Sequence, residues 1–284
     1  MTVEQIDASF GAVVTGVRLA AVDDAKFAEL QELWLRYALL IFPDQHLTNA
    51  EQSAFARRFG DLEFDTSAIT NVHPDGGLRA DDGSDDMMNI LRGNLDWHPD
   101  STYLPVQARG AVFSADVVPP TGGETGFADM RAAYDALDEP IRCRVDEMSA
   151  YHSLYHSQPD MADHGGVGRG FTGYGFRGQG PQLRPLVKVH PETGRRSLLI
   201  GRHAFGIPGL EPEESERFLA RLVVDACRPP RTYIHSWTPG DVVLWDNRCL
   251  LHRALPWDTT LPRVMYHTRI AGDPVAEHAE EALA

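Results

Sequence analysis

Short segments rich in β-branched and aromatic residues recur along the whole chain, and turn-forming residues separate them. These candidate strands are residues 12–17, 38–42, 111–118, 186–190, 197–200, 240–245 and 264–270. Amphipathic stretches that predict helices follow Asp23-Asp24 and Thr48, and recur at residues 128–137, 140–148 and 213–227. Many short strands with helices packed outside predict a mainly β fold with flanking helices, a double-stranded β-helix (jelly-roll, cupin-like) barrel. Because no repeat or linker interrupts the pattern, we expect residues 1–284 to form one domain.

Composition excludes several classes of function. The formal net charge of −15 argues against nucleic acid as a partner, since phosphate binding needs clustered Lys and Arg. Neither a long apolar run nor a basic, apolar leader is visible, so we expect no membrane association and no secretion. The three cysteines stand singly, which favours reduced thiols in the cytoplasm. A small anionic molecule is the expected partner, held by a few local cations.

Two distant segments carry the pattern of a metal site. His98 and Asp100 are separated by one residue in a stretch without glycine that suits a strand, so both side chains can share one face. His252, which we expect a further, distant strand to supply, completes two imidazoles and one carboxylate. This donor set leaves three adjacent coordination positions open and is typical of non-haem Fe(II) oxygenases. Three other His-x-acid triplets fall in predicted turns or the charged tail, at His73, His190 and His278.

Two segments have no clear periodicity. Residues 60–92 are acidic and favour either a solvated loop or a lid beside the metal strand. Residues 157–183 are rich in glycine and favour a second lid. We expect these segments to supply the walls of an apolar pocket. A glycine-rich phosphate cradle is excluded in the second segment, because no apolar strand precedes it and no helix follows.

The motifs resemble those of the Fe(II)/2-oxoglutarate dioxygenases of the taurine and 2,4-dichlorophenoxyacetate family, particularly its (S)-phenoxypropionate (aryloxyalkanoate) dioxygenases. The resemblance runs from residues 11–17 to residues 270–273 and includes residues 127–135, 202–204 and 262–265. It implies that His98, Asp100 and His252 bind the iron. It also implies that Thr125 and Arg263 hold 2-oxoglutarate, and that Asn94 contacts the primary substrate.

One position departs from the family pattern. Several relatives carry an arginine for the substrate anion or the co-substrate fifteen residues after the distal histidine, where this chain has His267. The next cation on the same strand face is Arg269, so either residue is a candidate for the substrate anion, and Arg269 also for the co-substrate. The run of residues 246–248 is expected to form a buried polar network at a turn. A second role, orienting His252, stays open.

The resemblance implies a 2-oxoglutarate-dependent dioxygenase that uses Fe(II) and O₂, is stimulated by ascorbate, and forms a homo-oligomer. On an aryloxyalkanoate such as (S)-2-phenoxypropionate, hydroxylation beside the ether oxygen would release a phenol and a 2-oxo acid. The alternatives are the same reaction on a sulfonate such as taurine or on an alkyl sulfate, or a barrel that binds without catalysis. The complete set of metal and co-substrate residues favours an enzyme.

Overall fold

The fold is taken from a computed structural model, which describes residues 1–157 and 180–280. The strands are β1 (Thr2–Gln5), β2 (Ala12–Thr15), β3 (Leu39–Phe42), β4 (Leu62–Thr70), β5 (Gly110–Val117), β6 (Thr125–Asp129), β7 (Ser149–His152), β8 (Gln182–Pro185), β9 (Val187–Val189), β10 (Arg196–Leu198), β11 (Ala204–Phe205), β12 (Thr232–His235), β13 (Val242–Asp246), β14 (Leu250–Ala254) and β15 (Val264–Ile270). The helices are α1 (Asp24–Tyr37), α2 (Asn49–Arg57), α3 (Asp86–Gly93), α4 (Met130–Asp135), α5 (Glu139–Asp146), α6 (Leu154–Ser157) and α7 (Pro212–Ala226). The prediction of a mainly β fold with flanking helices is confirmed.

The strands are arranged in one large sheet and three small ones within these described ranges. The large sheet has the strand order β1-β2-β3-β13-β5-β15-β4. Its β2–β3 pair is parallel, and its other neighbouring strands are antiparallel. The small sheets have the orders β12-β6-β14, β11-β7-β8 and β10-β9. The last of these is the hairpin predicted around residues 186–200.

Alternation along the central strands divides the core into two layers. Val242 and Leu244 of β13 pack with Leu30 and Trp34 of α1 on one face of the large sheet. Trp245, one residue on from Leu244, belongs to the cluster on the other face. Successive strand residues point to opposite faces, and Trp245 lines the cavity that contains His98, Asp100 and His252, so the second face is the one towards the candidate site. The helix packing therefore fixes which side of the sheet holds the site.

The predicted helix starts are confirmed by their caps. The Asp23 carboxylate accepts a hydrogen bond from the Lys26 amide at the start of α1. Thr48 and Glu51 form the predicted capping box at the start of α2. Such caps satisfy amide donors that have no partner within the helix.

The segment 60–92 was wrongly predicted to be a loop throughout. It contains the nine-residue strand β4, which pairs along its length with β15, and the helix α3. Asp85 caps α3 by accepting from the Met88 amide, so part of the acidic cluster serves a local structural purpose. Polar residues alternate poorly along β4, which explains why its periodicity was missed.

A strand around His98 was also wrongly predicted. His98 makes only an isolated bridge to His252, and a turn follows at once. Pro99 lacks an amide donor and Ser101 has a left-handed backbone (φ 58°), so the ladder cannot continue. Residues 158–179, most of the predicted lid at 157–183, lie outside the described residues. No helix in the described ranges is long and apolar enough to cross a membrane.

Candidate metal centre and its cavity

The three predicted metal ligands come together where the His98 turn meets β14. The amides and carbonyls of His98 and His252 exchange two hydrogen bonds, at 3.0 and 2.9 Å. Asp100 lies in the turn that follows, and one ligand atom from each of the three residues lies within 4.8 Å of the other two. The pair of backbone hydrogen bonds thus brings His98 beside His252, which the sequence analysis had expected of a strand.

The atoms that face one another are suited to holding a divalent metal ion. His98 Nδ1 donates to the Asp96 carbonyl at 2.7 Å, which directs its Nε2 to the site. Asp100 Oδ2 lies 3.7 Å from His252 Nε2 and has no hydrogen-bond partner among the described residues. A buried carboxylate oxygen without a donor is costly unless a cation is bound to it. Two imidazoles and one carboxylate fit a first-row transition metal.

Burial and neighbouring charges set the protonation of the ligands. Burial lowers the pKa of His98 well below its usual value and that of His252 to about 4. Burial alone would raise the pKa of Asp100, but the nearby Arg269, together with His252 and His267, outweighs it and lowers that pKa. At neutral pH the site therefore presents neutral imidazoles and a charged carboxylate, the forms that bind metals.

Asn247 holds the backbone of Asp100 in place at the candidate metal site. It is buried, its Oδ1 accepts from the Asp100 amide at 2.7 Å, and its Nδ2 donates to the carbonyls of Asp100 and Ala108, both at 2.9 Å. The sequence predicted a polar network here, with His252 as the residue that it could orient. The network is confirmed, but the partner of Asn247 is the backbone of Asp100.

Asp246 belongs to a separate buried network. Its oxygens accept from Arg248 and, at 3.0 Å, from His190 Nε2. His190, Asp246 and Cys249 also come close enough to suggest a second metal site. Because Arg248 and His190 already satisfy the carboxylate, we assign this cluster a structural role.

Thr125 and Arg263, the predicted co-substrate residues, both line one cavity with the three metal ligands. Trp237 Nε1 donates to Thr125 Oγ1 at 2.9 Å. Since an indole can only donate, the hydroxyl proton of Thr125 remains available for an acceptor in the cavity. Trp237 was not identified from the sequence, where nothing in its surroundings distinguishes it from a core tryptophan.

Arg263 is buried beside a glycine that makes room for it. Its Nε and Nη2 donate to the Gly123 carbonyl at 3.2 and 3.0 Å. A Cβ on Gly123 would lie 3.0 Å from Arg263 Nε, and the backbone there has φ 73°. Burial lowers the pKa of Arg263 to about 10, so the guanidinium is still charged at neutral pH. A desolvated cation of this kind is suited to a carboxylate.

Asn94, His267 and Arg269 also line the cavity, and for His267 and Arg269 this confirms the predicted shared strand face. His267 Nε2 lies 3.6 Å from Asp100 Oδ2, and burial lowers the pKa of His267 to about 3. Its ring is therefore neutral at pH 7. Arg269 Nη2 donates to Asp100 Oδ1 at 3.0 Å. The two candidates for the substrate anion are thus a neutral imidazole and a cation already paired with a metal ligand.

The remaining cavity wall is largely apolar. Its side chains come from β4, α3, β5 and α6: Ile69, Ile90, Leu91, Phe113 and Leu154. The expectation that the segment 60–92 supplies pocket walls is confirmed. Arg202 also lines the cavity and was not identified as a site residue, although it lies in one of the segments that carry the family resemblance.

A close backbone approach shapes the same side of the cavity. The Arg202 amide donates to the Trp97 carbonyl at 2.9 Å. A Cβ on the neighbouring Gly201 would lie 2.9 Å from that carbonyl oxygen and 3.2 Å from His98 Cα. Glycine at 201 therefore lets this segment pack directly against the turn that carries His98 and Asp100.

Comparison with known proteins agrees with this arrangement. The family model for "Taurine catabolism dioxygenase TauD, TfdA family" matches residues 2–269. The chain belongs to the TauD/TfdA family. TauD/TfdA relatives include an (S)-phenoxypropionate/alpha-ketoglutarate-dioxygenase of Sphingobium herbicidovorans, 64% identical over 275 residues (96% of each chain). A protein of the same name from Delftia acidovorans is 58% identical over 278 residues, covering 96% of this chain and 95% of the relative.

A solved TauD/TfdA-like structure is similar over almost the whole fold. The crystal structure of AAD-2 in complex with Mn(II) and N-oxalylglycine superposes with a TM-score of 0.86 at 34% identity. The match covers 96% of this chain and 98% of that one.

Proposed function

We propose that this chain is an Fe(II)- and 2-oxoglutarate-dependent dioxygenase that cleaves aryloxyalkanoates such as (S)-2-phenoxypropionate. The observation that carries the proposal is the single cavity shared by His98, Asp100, His252, Thr125 and Arg263. These residues supply the metal donors and the two groups suited to a dicarboxylate co-substrate. The named activity of the two similar proteins supports the same reaction class.

Each residue has a defined task in this proposal. His98, Asp100 and His252 hold the iron, which would supply the oxidising chemistry that consumes O₂ and converts 2-oxoglutarate to succinate and CO₂. Arg263 pairs with the distal carboxylate of 2-oxoglutarate, and Thr125 donates to it. N-oxalylglycine, present in the similar solved structure, has the skeleton of 2-oxoglutarate with NH in place of one CH₂. Orientation then decides which substrate C–H bond is hydroxylated.

The substrate would lie between an apolar wall and a cation. Ile90, Leu91 and Phe113 can pack against an aryl ring, with Asn94 and His267 beside it. Because Arg263 is assigned to the co-substrate and Arg269 contacts Asp100, we propose Arg202 for the substrate carboxylate. Hydroxylation beside the ether oxygen gives a hemiketal, which collapses to a phenol and a 2-oxo acid.

Five further proposals concern the protein as a whole. We propose that residues 1–284 are one domain and that the large sheet and the β12-β6-β14 sheet are the two halves of a jelly-roll. The cavity supports this, since Trp245 and His267 line it from the first sheet and Thr125 and His252 from the second. We also propose that the protein forms a homo-oligomer, which light scattering would measure, and that ascorbate stimulates its activity. A location in the cytoplasm is in keeping with the three free thiols.

The test is aerobic turnover with Fe(II), ascorbate and 2-oxoglutarate of three substrates: (S)-2-phenoxypropionate, (R)-2-phenoxypropionate and taurine. We expect phenol and succinate together, faster from the (S) enantiomer, and loss of both in His98→Ala. Succinate from taurine without phenol from either enantiomer would keep the reaction class and replace the substrate. No succinate from any substrate, in protein shown to hold iron, would favour a barrel that binds without catalysis.

Arg202 is tested with the same assay. Arg202→Met should raise the KM for phenoxypropionate about 10- to 100-fold, the equivalent of one lost charge-assisted hydrogen bond. The KM for 2-oxoglutarate should stay unchanged, and Arg202→Lys should restore part of the loss. An unchanged KM for phenoxypropionate in Arg202→Met would exclude this residue as the anchor.

A further inference from the structure

We propose that Arg269 is a positioning residue that makes Asp100 a one-oxygen metal ligand. The inference rests on the metal centre of the proposed function and assigns Arg269 a task other than binding substrate or co-substrate. Arg269 would occupy one carboxylate oxygen of Asp100 and leave the other for the metal.

The two oxygens of Asp100 have different surroundings. Oδ1 accepts from Arg269 Nη2 at 3.0 Å. Oδ2 faces the histidines, 3.7 Å from His252 Nε2 and 3.6 Å from His267 Nε2, and accepts no hydrogen bond from any described residue. A charge-assisted bond from a guanidinium is short and strong, and it holds Oδ1 on the side of Arg269. The contact with Arg269 therefore leaves Oδ2 as the oxygen of Asp100 that faces the candidate metal site.

Arg269 is itself held from three sides. Its Nη1 donates to Ser101 Oγ at 2.9 Å and lies 3.4 Å from Glu63 Oε2. Ser101 Oγ in turn donates to Glu63 at 2.8 Å. The guanidinium lies 5.1 Å from the centre of the Phe64 ring, and Arg269 is 2% exposed. Since β15 is paired on both sides, by β4 and β5, the base of the side chain is fixed as well.

This arrangement has a consequence for coordination number. A carboxylate that binds through both oxygens fills two positions on a metal, and one that binds through a single oxygen fills one. Two histidines and one carboxylate oxygen leave three of six positions open. A 2-oxo acid and O₂ would both need open positions on the metal. Occupation of Oδ1 by Arg269 would keep Asp100 from taking one of them.

The test is Co(II) binding to the metal-free protein, without substrate or 2-oxoglutarate. Co(II) affinity is measured by calorimetry and its coordination number from the intensity of its visible absorption. We compare wild type, Arg269→Met, Arg269→Lys and Arg131→Met. The last is the matched control, because Arg131 forms a buried pair with Asp129 at 2.9 Å and touches no proposed metal ligand.

We expect Arg269→Met to weaken Co(II) binding about 10- to 100-fold, as changes in partners of metal ligands do, and to alter the absorption spectrum. Arg269→Lys should restore part of both. Arg131→Met should lower the free energy of unfolding and leave the affinity and spectrum of Co(II) as in wild type. Wild-type affinity and spectrum in Arg269→Met would overturn the proposal, whether or not turnover falls.

Two further results are informative. If Arg269→Met does not fold, the variants Arg269→Lys and Ser101→Ala test the proposal in its place. Both should shift the Co(II) spectrum, and wild-type spectra in both would overturn the proposal. Wild-type protein that binds no Co(II) would remove the proposed function itself, a different result from an Arg269 variant that binds it normally.

Discussion

Asn247 offers the sharpest test of how the metal site is assembled. Its side chain makes three hydrogen bonds in a buried position: one from the Asp100 amide and two to the carbonyls of Asp100 and Ala108. Asn247→Ala removes all three. At about 1 kcal/mol net each, and with buried Asp100 groups left unpaired, we expect a loss of about 3–5 kcal/mol in the free energy of unfolding.

The assay is urea unfolding of the metal-free protein at 25 °C, followed by tryptophan fluorescence. Because Asn247 holds the backbone of Asp100, Co(II) affinity should also fall, by about 10-fold or more. Asn49→Ala is the control, since Asn49 is exposed at the start of α2 and surface substitutions usually stay within about 0.5 kcal/mol. A loss below about 1 kcal/mol with unchanged Co(II) affinity would refute the reasoning from hydrogen bonds.

Three other predictions follow from single contacts. Trp237→Phe should raise the KM for 2-oxoglutarate about 5-fold, one lost hydrogen bond to Thr125, with kcat less affected; an unchanged KM would show that Trp237 does not orient Thr125. Gly201→Ala should weaken Co(II) binding, because its Cβ would lie too close to the turn that carries His98. Gly194→Ala, which has open space around its Cβ, should cost only about 1 kcal/mol of stability. Equal effects of the two variants on Co(II) affinity would contradict the close approach. Burial lowers the pKa of His152 from 6.5 to about 3, so the unfolded chain binds a proton that the folded state does not, and stability falls as the pH falls below 6.5. His152→Gln should lose about 2 kcal/mol less than wild type between pH 7 and 5 in urea unfolding at each pH; parallel curves would contradict it.

The sequence predicted the central strands of the large sheet and the longer helices, because their apolar residues recur with the period of a strand or a helix. Strands β5, β13 and β15 and helices α1 and α7 follow runs of apolar residues with the spacing of their structure. The strand β4 was missed, since its stability comes from pairing with β15, nearly 200 residues away, rather than from its own pattern. The turn at Asp100 was missed because its shape depends on Asn247, which lies 147 residues away in sequence.

The residues of the candidate site are also of two kinds: those that the sequence could indicate, and those that depend on contacts between distant residues. His98, Asp100 and His252 were recognisable as candidates because a metal site of this type requires particular side chains at a particular spacing. Trp237, Arg202 and the pairing of Arg269 with Asp100 were not, since each depends on which distant side chain lies within 3 or 4 Å. Arg269 shows the limit clearly. Strand parity correctly predicted that Arg269 lines the cavity, but it could not predict that Asp100, a proposed metal ligand, would be its partner.

The central claim is that one metal site couples the oxidation of 2-oxoglutarate to cleavage of an aryl ether. The most direct test measures O₂ consumption, succinate and phenol together during turnover of (S)-2-phenoxypropionate, in wild type and in Asp100→Ala. We predict equal amounts of all three in the wild type and none in the variant. Phenol released without succinate, or unchanged turnover in Asp100→Ala, would contradict the account.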